Sequence, residues 1–367
     1  MQAVILVGGE GTRLRPLTSL RPKPVVTLVD RPFIVHMLDW LMLHGVDDVI
    51  MSCGFLPDQI EAELGDGSGL GIRLRFVTEP EPRGTAGALK YAEEFLADRF
   101  LMLNGDVLTD IDLGAQLAQH ERTGAVGTLA LVPVADPSAY GLVRLHEDAS
   151  VKGFLEKPRP EEIDTNLISA GAYVLERSVL DMIEPDRNVS IEREIWPALV
   201  GNGLYGYAAE HAYWMDIGTP DRYLRGTFDI LEGRVRTAVQ DKLGPAGTSV
   251  DPTATVAGTV VAPALVGADA VIEADAFVGS NAVVGPGARI GPGATVENAI
   301  VLAGAQIGAG AQLRDCVIAP GAVIGDRTSV GGEAVIGDGV HVGADNQLDR
   351  GIRVFPGTNL PDGAIRF

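Results

Sequence analysis

"VGADAVIEADAFVGSNAVVGPGARIGPGATV", residues 266–296, sets the reading of the last third of the chain. An aliphatic residue returns every sixth place, at Val266, Ile272, Val278, Val284, Ile290 and Val296. An alanine sits four places after each of the first five, at Ala270, Ala276, Ala282, Ala288 and Ala294. A fixed six-residue beat is the mark of a hexapeptide-repeat parallel β-helix. Aliphatics stack inside the coil, and the small residues are expected at its corners. A β-sandwich would not keep an aliphatic at so strict a period. The beat slips by one and resumes at Val301, Ile307 and Leu313. It slips again and continues at Ile324, Val330, Ile336, Val342, Leu348, Val354 and Leu360.

This region, 251–367, holds 12 acids, six arginines and no lysine. It has no His/Cys cluster, and an acyltransferase role would find no base there beyond the lone His341. The β-helix is therefore expected to assemble subunits and do no chemistry.

Upstream the grammar changes. Short apolar runs alternate with amphipathic stretches: Ala3–Val7, Phe33–His44, Asp48–Ser52, Ala86–Leu96, Phe100–Leu103. That alternation predicts an α/β domain with a mainly parallel, Rossmann-like sheet. The expected organisation is a catalytic domain over 1–232, a linker over 233–250 and the β-helix over 251–367.

Composition narrows the function. The 367 residues carry 49 acids against 29 bases, a net charge of −20. So acidic a surface argues against nucleic acid and anionic membranes as partners. An anionic substrate would have to be caught by local bases. The two cysteines, Cys53 and Cys316, fit no metal spacing and are expected to be buried free thiols in a reducing compartment. With no basic n-region and no apolar run long enough to span a bilayer, a soluble cytoplasmic protein is expected.

The local bases lie straight after the first strand, in "LVGGEGTRLRPL" (6–17). Glycines after a strand let backbone N–H groups close on a phosphate, because no Cβ blocks the approach. The stretch is neither a Walker loop, which needs Gly-Lys-Ser/Thr, nor a dinucleotide fingerprint, which would need glycine where Leu14 stands. What remains is a glycine loop with its own cations: Arg13, Arg15, Arg21 and Lys23 against Glu10. Arginine offers a fork to phosphate oxygens and lysine a point charge.

These residues carry a resemblance. GGEGTRLRPLT (8–18) followed by Lys23-Pro24 resembles the signature of the sugar-nucleotide pyrophosphorylases, or nucleotidyltransferases. EPEPRGTAGAL (79–89), LNGDVL (103–108), YGLV (140–143), FLEKP (154–158) and YWMDIGTP (213–220) follow in that family's order. With the hexapeptides, the whole is similar to the bacterial mannose-1-phosphate guanylyltransferases. The resemblance implies a left-handed β-helix, Mg²⁺ as cofactor, a homo-oligomer, and the reaction of a nucleoside triphosphate with a sugar 1-phosphate to give a nucleotide sugar and pyrophosphate.

It also implies roles. Arg13 and Lys23 match the cations that hold the triphosphate. Leu6, Gly8, Gly9, Gly11, Thr12, Glu79, Gly84 and Thr85 match the nucleotide cradle and base loop. Asp106 and Asp216 match the two metal carboxylates; Asp106 follows an apolar run, at a strand's carboxyl end where ligands of open α/β sheets sit. Gly141, Glu156, Lys157 and Ser169 match the sugar-phosphate side. "SIEREIW" (190–196) is read instead as a helix start, with Ser190 as cap and Glu192 and Glu194 at the positive end of the dipole.

Guanine presents two donors, N1–H and N2–H₂, which one carboxylate can accept. A pyrimidine edge suits an amide, and thymidylyl-type relatives open this loop with Gln. Glu79 therefore favours GTP, with dTTP, UTP and ATP as the alternatives. Ser169 stands where guanylyltransferases usually place Asn, which leaves glucose, a heptose or a cyclitol phosphate open beside mannose. A non-catalytic, regulatory homologue is the third reading, and the intact Arg13, Lys23, Asp106 and Asp216 speak against it.

Overall fold

The first apolar run becomes a central strand because both of its faces are covered: Ala3, Val4 and Ile5 have no exposed surface. The computed structural model describes residues 1–366. Nine strands form one sheet: β1 (Gln2–Val7), β2 (Asp48–Cys53), β3 (Arg73–Thr78), β4 (Arg99–Asn104), β5 (Gly127–Pro133), β6 (Gly141–Leu145), β7 (Val151–Glu156), β8 (Leu167–Glu176) and β9 (Leu204–Ala208). The main path runs β7-β6-β8-β4-β1-β2-β3, with β5 also paired to β8 and β9 to β5. The strands β3, β2, β1 and β4 are mutually parallel; β7 and β8 run against the other seven. The register of β8 shifts between Ser169 and Tyr173, a bulge at Ala170–Ala172. Helices Phe33–Leu43, Gly84–Tyr91 and Leu113–Thr123 fall within or between the expected amphipathic stretches.

The chain divides into two compact units: Met1–Gly9 with Met37–Trp214, and Glu10–His36 with Met215–Phe367. The sheet belongs to the first. The second contains the solenoid, together with the basic stretch that follows β1.

In the solenoid the expected residues stack in three columns of parallel pairs. One column runs Val266, Val284, Val301, Ile318, Ile336, Val354. The next runs Ile272, Ile290, Ile307, Ile324, Val342, Leu360. The third runs Val278, Val296, Leu313, Val330, Leu348. Three six-residue faces make one coil of a parallel β-helix. The slips are coils shortened by one residue, and Ile318, which the six-residue beat passes over, takes its place in the first column. The shortened corner is turned by Asn298 (φ 46°) and, one coil on, by Asp315 (φ 51°), residue types that tolerate the left-handed region.

The small residues sit at the corners as expected, with their methyl groups turned inward. Ala270, Ala276, Ala288 and Ala294 each close a corner turn, the N–H donating to the carbonyl three residues back (3.1–3.4 Å), while Ala282 opens a strand; all five are at most 1% exposed and pack in the apolar core of the coil. The column of Ala276, Ala294 and Ala311 then turns polar at Thr328 and Asn346, both fully buried. Both are satisfied. Thr328 Oγ1 donates to Gly343 O (2.8 Å), and Asn346 Nδ2 donates to Gly343 O and Pro361 O (2.9 Å each). Asn346 Oδ1 accepts from Ile365 N (2.8 Å), so this amide knits the final coils together.

The two cysteines are free and buried as expected; burial pushes the Cys53 thiol up to about 12. Among the described residues no helix is long and apolar enough to cross a membrane.

Because the alanines are interior, Ala288→Leu should overpack the coil and destabilise the solenoid by about 1–3 kcal/mol. The check is a lowered chemical-denaturation midpoint; an unchanged midpoint would mean that the Ala288 methyl does not point into the core.

Candidate active site

Three loops meet at the carboxyl ends of β1, β2 and β3, and they meet backbone to backbone. A Cβ on Gly54 would stand 3.0 Å from Gly8 O and 3.1 Å from Gly8 Cα. On the same edge, Glu79 follows β3, and its N–H donates to Cys53 O (3.0 Å). The Glu79 carboxylate is half-buried and fixed at both oxygens: Oε1 accepts from Ser52 Oγ (3.3 Å) and Oε2 from Arg83 N (3.0 Å). A Cβ on Gly8 would lie 4.0 Å from Glu79 Oε1. Burial raises the Glu79 carboxyl, while those two hydrogen bonds and the Arg83 charge oppose it.

Asp106 is placed by its neighbour. Gly105 N donates to Leu6 O (3.0 Å), and a Cβ on Gly105 would fall 2.5 Å from Val7 Cγ1 and 2.6 Å from Leu6 O. Only glycine lets the turn after β4 close onto the end of β1, which sets Asp106 beside the Leu6–Gly8 backbone.

The sugar-side residues also cluster. Gly141 and Glu156 are antiparallel partners, and a Cβ on Gly141 would meet Phe154 Cζ at 2.5 Å and Glu156 Oε2 at 3.2 Å. Lys157 follows in the left-handed region (φ 52°), with its N–H on Tyr140 O (3.0 Å). Such a conformation costs a non-glycine residue about 1–3 kcal/mol and gathers at functional sites. Ser169, beside the bulge of β8, shares a hydrogen bond with Tyr173 Oη (3.1 Å).

Glu192 joins the two groups. Its Oε2 accepts from Thr85 Oγ1 and Ser190 Oγ (2.7 Å each), while its charge reaches Glu156. It sits in a π-helical turn, Ile191–Ile195, that Ser190 Oγ caps through Arg193 N (3.3 Å). The expected cap is present. Glu192, which sequence reasoning treats as a dipole partner, instead faces the sugar-side carboxylate; π-turns often mark functional positions. Thr85 Oγ1 also accepts from Ile191 N (2.8 Å), so its proton is spent on Glu192. Gly84 (φ 69°) is required by Val189 O, which a Cβ would meet at 2.6 Å.

In the second unit the signature stretch folds on itself. Gly11 (φ 63°) packs against the Lys23 stem, its Cβ position 3.0 Å from Lys23 Cβ, and Gly11 O accepts from Thr18 Oγ1 (2.8 Å). Thr12–Leu14 form a single 3₁₀ turn that leaves Arg13 exposed, and Lys23 is only 9% exposed. Arg15 pairs with Glu10 (3.2 Å) and Arg21 with Asp338, so not every cation of the stretch is spent on a ligand. A Cβ on Gly218 would stand 3.0 Å from Arg13 Nη2 and 3.3 Å from Asp216 Oδ2: guanidinium and carboxylate converge on that glycine. Asp216 is also ion-paired with Arg222. Ser52 and Glu192 escape sequence reasoning because their partners lie 27 and 107 residues away; Arg83 escapes it because it acts through a backbone N–H that carries no side-chain signal. Gly9 has open space around its Cβ position among the described residues.

An open, mainly parallel sheet with glycine loops at its carboxyl edge, a carboxylate turn after β4 and an arginine-bearing signature stretch define a nucleotide-handling enzyme. The chain belongs to the nucleotidyl transferase family, whose pattern it matches over residues 2–233, and its residues 260–361 match the GMPPB C-terminal domain. It is 42% identical to a mannose-1-phosphate guanylyltransferase of Mycobacterium tuberculosis over 71% of this chain and 75% of that protein. It is 39% identical to a mannose-1-phosphate guanyltransferase of Schizosaccharomyces pombe over 70% of this chain and 73% of that one. Among solved structures it resembles HddC from Yersinia pseudotuberculosis complexed with GMP-PN (TM-score 0.54, 28% identity, 62% of this chain and 99% of that chain).

Burial first, then the charge of Glu192, pushes the Glu156 carboxyl above its ordinary 4.5, with Lys157 and Arg193 opposing. A raised carboxyl binds its proton more tightly folded than unfolded, so stability is lost as pH rises through the folded value. Glu156→Gln should therefore melt higher than wild type near about pH 7, with the gap closing towards about pH 4. A gap that stays constant over that range would remove Glu156 from its desolvated, like-charged setting.

Proposed function

We propose that this protein transfers a guanylyl group from GTP to mannose 1-phosphate, releasing pyrophosphate and giving GDP-mannose. The observation that carries the choice of base is Glu79: a half-buried carboxylate, pinned at both oxygens beside the Gly8 backbone. Each oxygen keeps a second lone pair, so the pair can accept guanine N1–H and N2–H₂ without giving up Ser52 or Arg83. The relatives named as mannose-1-phosphate guanylyltransferases support mannose as the sugar. Ser169 shares one hydrogen bond with Tyr173 and keeps further capacity for a sugar hydroxyl; Glu156 would take the hydroxyls and Lys157 the phosphate, across the open backbone of Gly141.

In this reading an oxygen of the sugar phosphate attacks the α-phosphorus of GTP in line, the bond to the β-phosphate oxygen breaks, and pyrophosphate leaves. The chain's part is positioning and charge neutralisation. Arg13 and Lys23 take the charge of the triphosphate. Leu6, Gly8, Gly9, Gly11 and Thr12 supply backbone to it, and Gly84 and Thr85 shape the base loop. Asp106 and Asp216 would hold Mg²⁺, a hard ion satisfied by one or two carboxylates, phosphate oxygens and water. The donors fit in kind: both are carboxylate oxygens, the ligand a hard ion takes. When bound, the ion would neutralise phosphate charge. We take the enzyme to work as a cytoplasmic homo-oligomer; Val250, Val256 and Val261, exposed on the first coil, offer an apolar end for a second copy.

A panel of pyrophosphate-release assays, each nucleoside triphosphate against each sugar 1-phosphate, tests the reading. GTP with mannose 1-phosphate should give the highest kcat/KM, and no release with any pair would end the enzymatic account. Asp106→Asn should lower turnover by roughly a hundredfold or more, since it removes charge at the phosphoryl centre; a near-wild-type rate would take Asp106 out of the site. Glu79→Gln should weaken GTP by about 1–3 kcal/mol and dTTP or UTP less, since an amide can donate to a pyrimidine carbonyl. Equal losses for all three nucleotides would mean that Glu79 only shapes its turn.

A further inference from the structure

Arg353 belongs to the last coils of the solenoid, yet its hydrogen bonds go to the signature stretch of the same unit. Its Nη1 donates to Arg13 O (3.0 Å) and to Arg15 O (3.3 Å). Asp338, in the preceding coil, forms an ion pair with Arg21 and is itself mostly buried. The two contacts bracket the stretch from Arg13 to Arg21. Their chemistry is selective. A third guanidinium brought beside Arg13 and Arg15 adds like charge to a basic segment, so its use is geometric: one donor group grips two carbonyls two residues apart, Arg13 inside the 3₁₀ turn and Arg15 at its C-cap. Asp338 does the reverse, drawing off the charge of Arg21 and leaving Arg13 as the exposed arginine of the turn. The Arg13 guanidinium at the far side of that turn converges with Asp216 on Gly218.

We propose that Arg353 and Asp338 are positioning residues for Arg13, so that the solenoid, through its final coils, sets the geometry of the triphosphate-binding arginine. The inference rests on the guanylyl-transfer reading for its kinetic consequence, but the contact itself does not. An exposed hydrogen bond of this kind contributes little to global stability. Loss of order at Arg13 acts instead on the reacting geometry, where small displacements are costly.

The experiment is a double-mutant cycle on the full chain. Arg353→Ala should lower kcat about tenfold or more, with the KM for the sugar 1-phosphate and the melting temperature unchanged. Arg353→Lys should recover much of the loss, because an ammonium can also donate to both carbonyls. In an Arg13→Ala background Arg353→Ala should cost nothing further, since its target is gone. Asp338→Asn should act in the same direction as Arg353→Ala and be equally silent in the Arg13→Ala background. Losses that add in full would show that Arg353 acts independently of Arg13 and would overturn the proposal. Hydrogen–deuterium exchange over residues 12–22 provides a readout free of substrate: it should rise in Arg353→Ala, and an unchanged exchange rate would also overturn it. If wild type released no pyrophosphate with any pair, the functional reading would fail while the exchange result still decided the contact.

Discussion

The site in the first unit depends on backbone meeting backbone at the carboxyl edge of four parallel strands. Gly105 approaches β1 so closely that a methyl group would lie 2.5 Å from Val7 Cγ1, and Gly54 approaches Gly8 so closely that one would lie 3.0 Å from its carbonyl oxygen. Those two approaches put Asp106 beside the end of β1 and bring the loop after β2, with Ser52 just inside it, against the Gly8 backbone. Glu79 then finds a hydrogen-bond donor on either side. The carboxylates are held by glycines that carry no chemistry of their own, and a side chain at Gly105 would displace the whole turn.

The second unit solves a different problem. A protein with a net charge of −20 must present a few cations to a polyanion without letting them collapse onto its own acids. Arg15 and Arg21 are spent on Glu10 and Asp338, and the turn just before Arg15 projects Arg13. The solenoid contributes the rigid partner for this segment. Its alanines sit inside the coil, where their small size lets the aliphatic columns approach, and its polar Thr328–Asn346 step ties down the last coils that carry Asp338 and Arg353.

Much of this was legible in advance because the physics is periodic or local. A coil of three six-residue faces writes its period into the sequence, and a buried parallel strand writes a continuous apolar run. The Ser190 cap was legible for the same reason: the N–H it accepts from is three residues away. Ile318 was passed over because a shortened corner breaks the period that would reveal it, and the inward aim of the corner alanines was not legible because a period shows recurrence without direction. Glu192, Ser52 and Arg353 were out of reach. Their partners lie roughly 30 to 340 residues off, where only the folded chain brings them together. The signature residues stood out through resemblance; the shape of the turn that presents Arg13, and the coil that braces it, did not.

The central claim is a single transfer: the guanylyl group leaves pyrophosphate and joins the phosphate of mannose 1-phosphate. ³¹P nuclear magnetic resonance of the full chain with GTP, mannose 1-phosphate and Mg²⁺ observes that bond directly. The account predicts loss of the three GTP resonances together with the sugar-phosphate signal, and growth of a coupled diphosphate pair with one pyrophosphate singlet. Growth of GDP and inorganic phosphate, with mannose 1-phosphate untouched, would contradict it.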